Sequence, residues 1–197
     1  MIESEIPVLT TVPAEIMGAR VILRAHRPQF AMEMYAAIAE SRQHLRPWMD
    51  WVDDHRSVDD TRAFCVASAA DWLLRSTLGY SIFDRTSDRF LGGIGCEEID
   101  RTLRSFAVGY WLRVGATGHG YATEATRLLV DKVFSVLGAR RVQLTCDVRN
   151  TASRRVAERA GFVLEARMRN ARLTPSGGIS DTLMFSLTPE DRSLANQ

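Results

Sequence analysis

The chain has 197 residues, 46% of them apolar and 25% charged, with a formal net charge of +1. That length suits one medium domain burying about 70% of its unfolded surface, and the balanced charge gives no field to attract nucleic acid or an anionic membrane. Cys65, Cys96 and Cys146 sit singly in apolar runs without CxxC or CxxH spacing, which argues against a metal site or a disulfide framework.

The N-terminus, MIESEIPVLTTVPAE, carries acids where a signal peptide needs a basic region. No apolar run reaches the roughly 18 residues a membrane span requires. A cytoplasmic protein with reduced, buried thiols is expected.

Residues 1–17 read as a loosely held tail and 18–197 as a single domain. ARVILRA (19–25) alternates apolar and polar residues and reads as a strand. Pro28 opens a helical pattern through Phe30, Met34, Ala37 and Ile38, at a position where its missing N–H costs nothing. SRQHLRPWMDWVDDHRS (41–57) is aperiodic. Ser57 and Asp60 make a capping box for an amphipathic helix through Phe64, Val66, Ala67, Ala70 and Leu74.

Three β-like runs follow, YSIF (80–83), FLGGIGCEEI (90–99) and SFAVGYWL (105–112), separated by charged turns. After them TGHGYATEA (117–125) leads into a helix over roughly 121–137, with Ala122, Ala125, Leu129 and Val133 on one face and Gly138 as its C-cap. RVQLTCDV (141–148) is another strand. Asn150 then caps a helix through Val156 and Ala160, and Gly161 ends it. FVLEARM and DTLMFSL close the sheet. Arg167, Arg169 and Arg172 read as a solvated strand face, and LTPED (187–191) as a terminal turn.

The glycine loop is where chemistry enters. A Walker A loop needs a lysine after its second glycine, and none is near. A dinucleotide fingerprint needs a third glycine where Thr123 stands, and an acid about 20 residues on, where the chain reads GARRVQ. What remains is glycines that turn successive backbone N–H groups toward one point, at the positive end of a helix. From the loop alone, a pyrophosphate cradle and an ordinary strand–turn–helix connection are both open.

Four pieces of sequence bear on the choice: ILRAHRP, HLRPWMDWVDD, GYWLRVGATGHGYATEATRLL, and the pair NTASRRVAERAGF with DTLMFSL. Through them, residues 18–190 resemble the GNAT acyl-CoA N-acetyltransferases, in their RimJ/RimL-like branch. The resemblance implies an α+β, three-layer fold. Its sheet is mixed, mostly antiparallel and of about seven strands, flanked by about four helices and splayed between the fourth and fifth strands, 105–112 and 141–148.

The implied cofactor is acetyl-CoA, its pyrophosphate on main-chain amides of the loop and its pantetheine arm in the splay. The cofactor-binding positions that match are Tyr110, Trp111, Leu112, Val114, Gly118, His119, Gly120, Tyr121, Ala122, Thr123, Asn150 and Ser153. Thr117 stands where the family usually has Arg or Gln. Ser153 matches the proton donor to the departing thiolate. A backbone amide of 108–112 would hold the oxyanion, with Gly109 marking a bulge that frees it.

Relatives often carry a glutamate base where this chain has Ala107. Glu97, Glu98 and Asp147 are nearby strand-end acids, and Glu98 is taken as the candidate base. On the acceptor side, Trp48 and Trp51 would enclose the substrate, and Asp50, Asp53 and Asp54 would attract its ammonium. His44 and His55 flank the same loop and are expected to be solvated.

A protein α-amine has a pKa of about 7.7–8.0 against about 10.4 for lysine, so a chain lacking an obvious strong base suits the first. The expected function is acetyl transfer from acetyl-CoA to a primary amine, an N-terminal α-amine of a protein as in the ribosomal-protein enzymes. A small-molecule amine is the alternative, and a non-catalytic acyl-CoA-binding module a third. Dimers are common in the branch, so a homodimer fits the resemblance.

Overall fold

In the computed structural model, which describes residues 10–194, eight strands form one open sheet. They are β1 (Glu15–Met17), β2 (Val21–Ala25), β3 (Leu78–Asp84), β4 (Phe90–Asp100), β5 (Ser105–Leu112), β6 (Arg141–Asp147), β7 (Val163–Leu173) and β8 (Ile179–Leu187). Their order is β1-β2-β3-β4-β5-β6-β8-β7, and every pair is antiparallel except β5 with β6. The mixed, mostly antiparallel sheet is the expected one with a strand added. That strand is β1, which corrects the tail over 1–17: Ile16 is buried and Glu15–Met17 pair with Ile22–Arg24. Residues 1–9 of the expected tail lie outside the described residues.

The helices are α1 (Ala31–Leu45), α2 (Val58–Leu74), α3 (Tyr121–Leu137), α4 (Thr151–Arg159) and the short α5 (Pro189–Leu194). α1 and α2 pack on one face of the sheet, where Met34, Ile38, Leu45 and Cys65 meet Phe83 and Phe90. On the opposite face α3 buries Ala122, Ala125, Leu129 and Val133, the stripe its sequence predicts, against Ile82, Val108, Leu144 and Phe185. Leu129 and Val133 each contribute about 1.5–3 kcal/mol on burial, the alanines less. No helix among the described residues is long and apolar enough to cross a membrane.

Local signals that rest on hydrogen bonds are observed as expected. The Ser57 hydroxyl accepts from the Asp60 amide, Asn150 Oδ1 accepts from the Ser153 amide at 3.0 Å, and Gly138 closes α3 at φ 60°. Pro28 opens a 3-10 turn (28–30) before α1, and α1 extends through Leu45 into what reads as an aperiodic loop. The predicted face of α2 is corrected. Thr61, Cys65, Ser68 and Trp72 point inward, while Phe64, Val66 and Leu74 are exposed. Alanines spread around that helix blur its period, so small polar residues take the inner face. LTPED is more than a turn: Thr188 and Asp191 cap α5 reciprocally.

The sheet's one discontinuity positions everything that follows. β5 and β6 pair only through Ser105–Arg141, Phe106–Val142 and Ala107–Gln143. Beyond Ala107 the strands part, because β6 continues beside β8 while β5 continues beside β4. The splay expected between these strands is there. Along β5, Phe106, Val108 and Leu112 join the core under α3, so by the period of two Ala107, Gly109 and Trp111 face the α1/α2 side.

Candidate active site

Two structures flank the opening between β5 and β6, and a third lies past the end of β6. The first is the loop before α3. Gly118 has φ 80° and Gly120 φ 81°, left-handed conformations that cost an L-residue about 1–2 kcal/mol. With Gly120 as the N-cap, the main-chain N–H groups of 118–123 donate to no group among the described residues. Those free amides and the start of a 17-residue helix form an anion cradle. Thr117 closes the preceding 3-10 turn by donating its hydroxyl to the Val114 carbonyl.

Arg20, invisible to motif reading, braces this loop from the start of β2. Its guanidinium donates to Glu124 Oε2 at 2.8 Å and to the His119 carbonyl at 2.9 Å, and lies over the Tyr121 ring. The Tyr121 hydroxyl in turn donates to Asp84. Tyr121, Ala122 and Thr123 therefore offer the opening their amides rather than their side chains. Leu112 is buried in the core, and the Trp111 indole packs edge-on against Trp51 and close to Phe90 on the α1/α2 face. Val114 and His119 are exposed. Arg113 pairs with Glu40, and the Val114 amide donates to the Ser41 hydroxyl, so α1 anchors the strand's exit into the loop.

The second structure is α4. Asn150 fixes its first turn, which carries Ser153 toward β5, and there the Tyr110 phenol donates to Ser153 Oγ at 3.0 Å. Burial pushes the Tyr110 pKa up to about 12, so the phenol stays a donor throughout the physiological range. Cys146, on β6, lies beside Ser153, and burial raises its pKa too. All three cysteines are free and buried.

The third is an open cavity of about 500 Å³ between the end of α1 and the β7–β8 turn, lined by Arg46, Trp48, Arg149 and Pro175 among others. Arg149 lies over the Trp48 ring, and Arg172 donates to the Trp48 carbonyl at 2.7 Å. Arg172 is thus a clamp on the 46–49 segment rather than part of a solvated face. Asp147 is buried and held by Arg149 through bonds of 2.8 and 2.7 Å, which keep its carboxyl far below the usual range.

The acceptor loop departs from expectation in three places. The Asp53 carboxylate lies between Arg42 and Arg46, at 3.1 and 2.8 Å, so it is not a free ammonium ligand. Trp51 packs against Trp111 and His55 under α1 instead of enclosing the cavity, which Trp48 does. His55 is buried rather than solvated. Its Nδ1 is 2.9 Å from the Thr61 hydroxyl, and burial lowers its pKa.

Glu98, the expected candidate base, sits at a break in the strand pairing. The β4–β5 register runs to Glu97–Ala107 and resumes at Asp100–Ser105, so Glu98 falls in the bulge at φ 47° without a cross-strand partner.

Residues 20–163 match the acetyltransferase (GNAT) domain family. The chain belongs to that family. It is 27% identical to YdaF of Bacillus subtilis over 176 residues, 87% of this chain and 92% of that protein. It is 26% identical to the ribosomal-protein-serine acetyltransferase of Escherichia coli over 138 residues, 70% of this chain and 76% of that one. Among solved structures, RimJ of Mycobacterium smegmatis in complex with CoA-disulfide superposes with a TM-score of 0.81 at 27% identity, covering 94% of this chain and 90% of that one.

The GNAT acetyltransferase assignment and the RimJ/RimL-like resemblance agree with the splayed sheet and its free loop amides. What motif reading missed are partners far apart in sequence: Arg20 with the loop, Tyr110 with Ser153, Arg172 with Trp48. The register of the 90–112 hairpin is the one signal that counting residues back from the turn would have recovered.

Proposed function

We propose that this acetyltransferase carries the acetyl group of acetyl-CoA to the N-terminal α-amine of a protein. The observation that carries the reading is the meeting of Tyr110 and Ser153 beside the opening, on the part of β5 that has left β6 and leads into the free amides of 118–123. The pyrophosphate rests on those amides, and the pantetheine runs along the unpaired edge of β5 beyond Ala107. A free amide of that edge receives the oxyanion as the neutral amine attacks the thioester carbon.

When the C–S bond breaks, Ser153 Oγ–H protonates the sulfur. Tyr110 already donates to Ser153 Oγ, so the serine's own hydrogen is the one it can turn from Cys146 to the departing sulfur. The ammonium nitrogen gives up two protons in all, one before attack and one that balances the proton delivered to sulfur.

The acceptor enters through the cavity at Trp48. Arg46 and Arg149 line it, no acid is among its lining residues, and Arg172 holds the Trp48 carbonyl beside it, which favours an acceptor with acidic residues near its N-terminus.

A thiol-release assay tests the reading with three acceptors: a lysine-free peptide with a free N-terminus, an N-blocked peptide containing lysine, and a set of small diamines and aminoglycosides. Release with the first, and acetyl found on its terminal nitrogen by mass spectrometry, is expected. Release only with small amines moves the acceptor class, and no release with any acceptor removes the catalytic reading.

A further inference from the structure

We propose that Glu97 is the general base of this reaction, taking one proton from the acceptor ammonium on the α1/α2 face of the sheet. The inference rests on the acetyl-transfer reading above and names the group that reading leaves open.

The strand register places the residue. Glu97 directly opposes Ala107, next to the opposed pair Gly95–Gly109. Opposed residues of antiparallel strands share a face, with Cβ atoms about 4.5–5.5 Å apart. The Glu97 side chain therefore stands beside a methyl group that leaves room for it. Ala107 is also the last residue of β5 paired to β6, so Glu97 marks the apex of the opening.

From that apex toward Trp111, the floor on this face consists of Ala107 and the exposed Gly109. A Cβ built at Gly109 meets nothing within 4 Å. β5 itself presents no side chain larger than a methyl on this face between Gly109 and the carboxylate.

Several other acids and imidazoles near the opening are committed elsewhere. Asp147 is locked by Arg149, Asp53 by Arg42 and Arg46, and Asp84 by Ser87 and Tyr121. His26 faces Ser81 of β3, and His55 faces Thr61 of α2. Glu97 has no ion pair with any described residue.

The charged groups facing Glu97 are Glu98 on its own strand and Asp50 from the 3-10 segment 50–53. Ser105, Ala107 and Gly109 of β5 bring none, and β3 begins at Leu78, opposite Cys96, short of Glu97. Solvent reaches the side chain, yet surrounding protein and those two carboxylates raise its pKa. A raised carboxylate is the better proton acceptor.

In the step itself, the N–H bond of the ammonium breaks as an O–H bond forms on Glu97. The neutral amine attacks, and the carboxylic acid returns its proton to solvent after product leaves.

Steady-state kinetics between pH 6 and 9.5, with a lysine-free peptide acceptor, test the assignment. Glu97→Gln is expected to lower kcat/KM at least tenfold at pH 7, with acetyl-CoA affinity by calorimetry unchanged. The deficit should shrink as pH rises and the free amine supplies itself. Glu98→Gln should stay within about twofold of wild type, and moving the carboxylate across the pair, with Glu97→Gln plus Ala107→Glu, should restore activity at pH 7. A Glu97→Gln enzyme as fast as wild type at pH 7, or slowed equally at every pH, overturns the proposal while leaving acetyl transfer intact. A wild-type protein that acetylates no amine overturns the underlying reading and this one with it.

Discussion

The phenol oxygen of Tyr110 lies 3.0 Å from Oγ of Ser153, joining the middle of β5 to the first turn of α4 across 43 residues of sequence. The bond sits where the two strands have parted, and it orients a hydroxyl that the N-cap Asn150 has already fixed at the backbone.

If that hydroxyl protonates the departing thiolate, Ser153→Ala lowers kcat at least tenfold, at the lower end of or below the usual worth of acid assistance. The Kd for acetyl-CoA, measured by calorimetry, stays within about twofold. Tyr110→Phe keeps the ring and loses the donor, so a smaller fall in kcat at unchanged Kd is expected. Wild-type turnover in Ser153→Ala would remove the serine from the chemistry.

The cationic surround of the Trp48 cavity predicts a charge preference in the acceptor. Peptides with Asp or Glu at the second and third positions should exceed Lys-bearing ones by about tenfold in kcat/KM at low salt. The gap should narrow as the Debye length falls to about 3 Å at 1 M salt. Arg46→Ala should reduce the preference with no change in acetyl-CoA affinity. Arg149 is a poor choice for this test because it holds Asp147. Equal rates for acidic and basic peptides at low salt would contradict the charge argument.

Stability should respond to acid through Asp147 and Glu165. Arg149 holds the first well below the carboxylate range, and Arg141 with Ser186 brings the second to about 2. Unfolded values are about 3.9 and 4.3. Because the folded values are depressed, their contribution is complete above the unfolded values and drains away as pH falls from there toward the folded ones. Thermal melts should give a Tm nearly level from pH 7 to 5 and declining below about 4.5, with a shallower decline in Glu165→Gln. A Tm that climbs on acidification below pH 4.5 would contradict the pairings.

Where the sequence speaks through local rules, the structure follows it: Asn150 and Ser57 as caps, Gly138 as the end of α3, the apolar stripe of α3, and the order of strands through the middle of the chain. Periodicity failed for α2, because Ala67 and Ala70 carry too little contrast to show which side is buried, and the inner face fell to Thr61, Cys65 and Ser68. β1 was missed because three residues at a sheet edge are too few to show alternation. In the site, the position of Ser153 on the first turn of α4 and the left-handed glycines of the loop are legible because their geometry is local. The surroundings of Asp53, Trp51 and Glu98 are not legible, because they depend on Arg42, on Trp111 and on a bulge, which no local pattern announces.

The central claim is that the loop before α3 cradles the cofactor's pyrophosphate, and calorimetric titration of acetyl-CoA tests it most directly. The wild-type protein should bind one equivalent with micromolar affinity. Gly120→Ala forces a Cβ into a backbone at φ 81°, with Arg20 only 3.3 Å from that Cβ, and should weaken binding tenfold or more. Absence of binding by the wild type, or equal affinity in a Gly120→Ala protein that keeps its fold, would contradict the account.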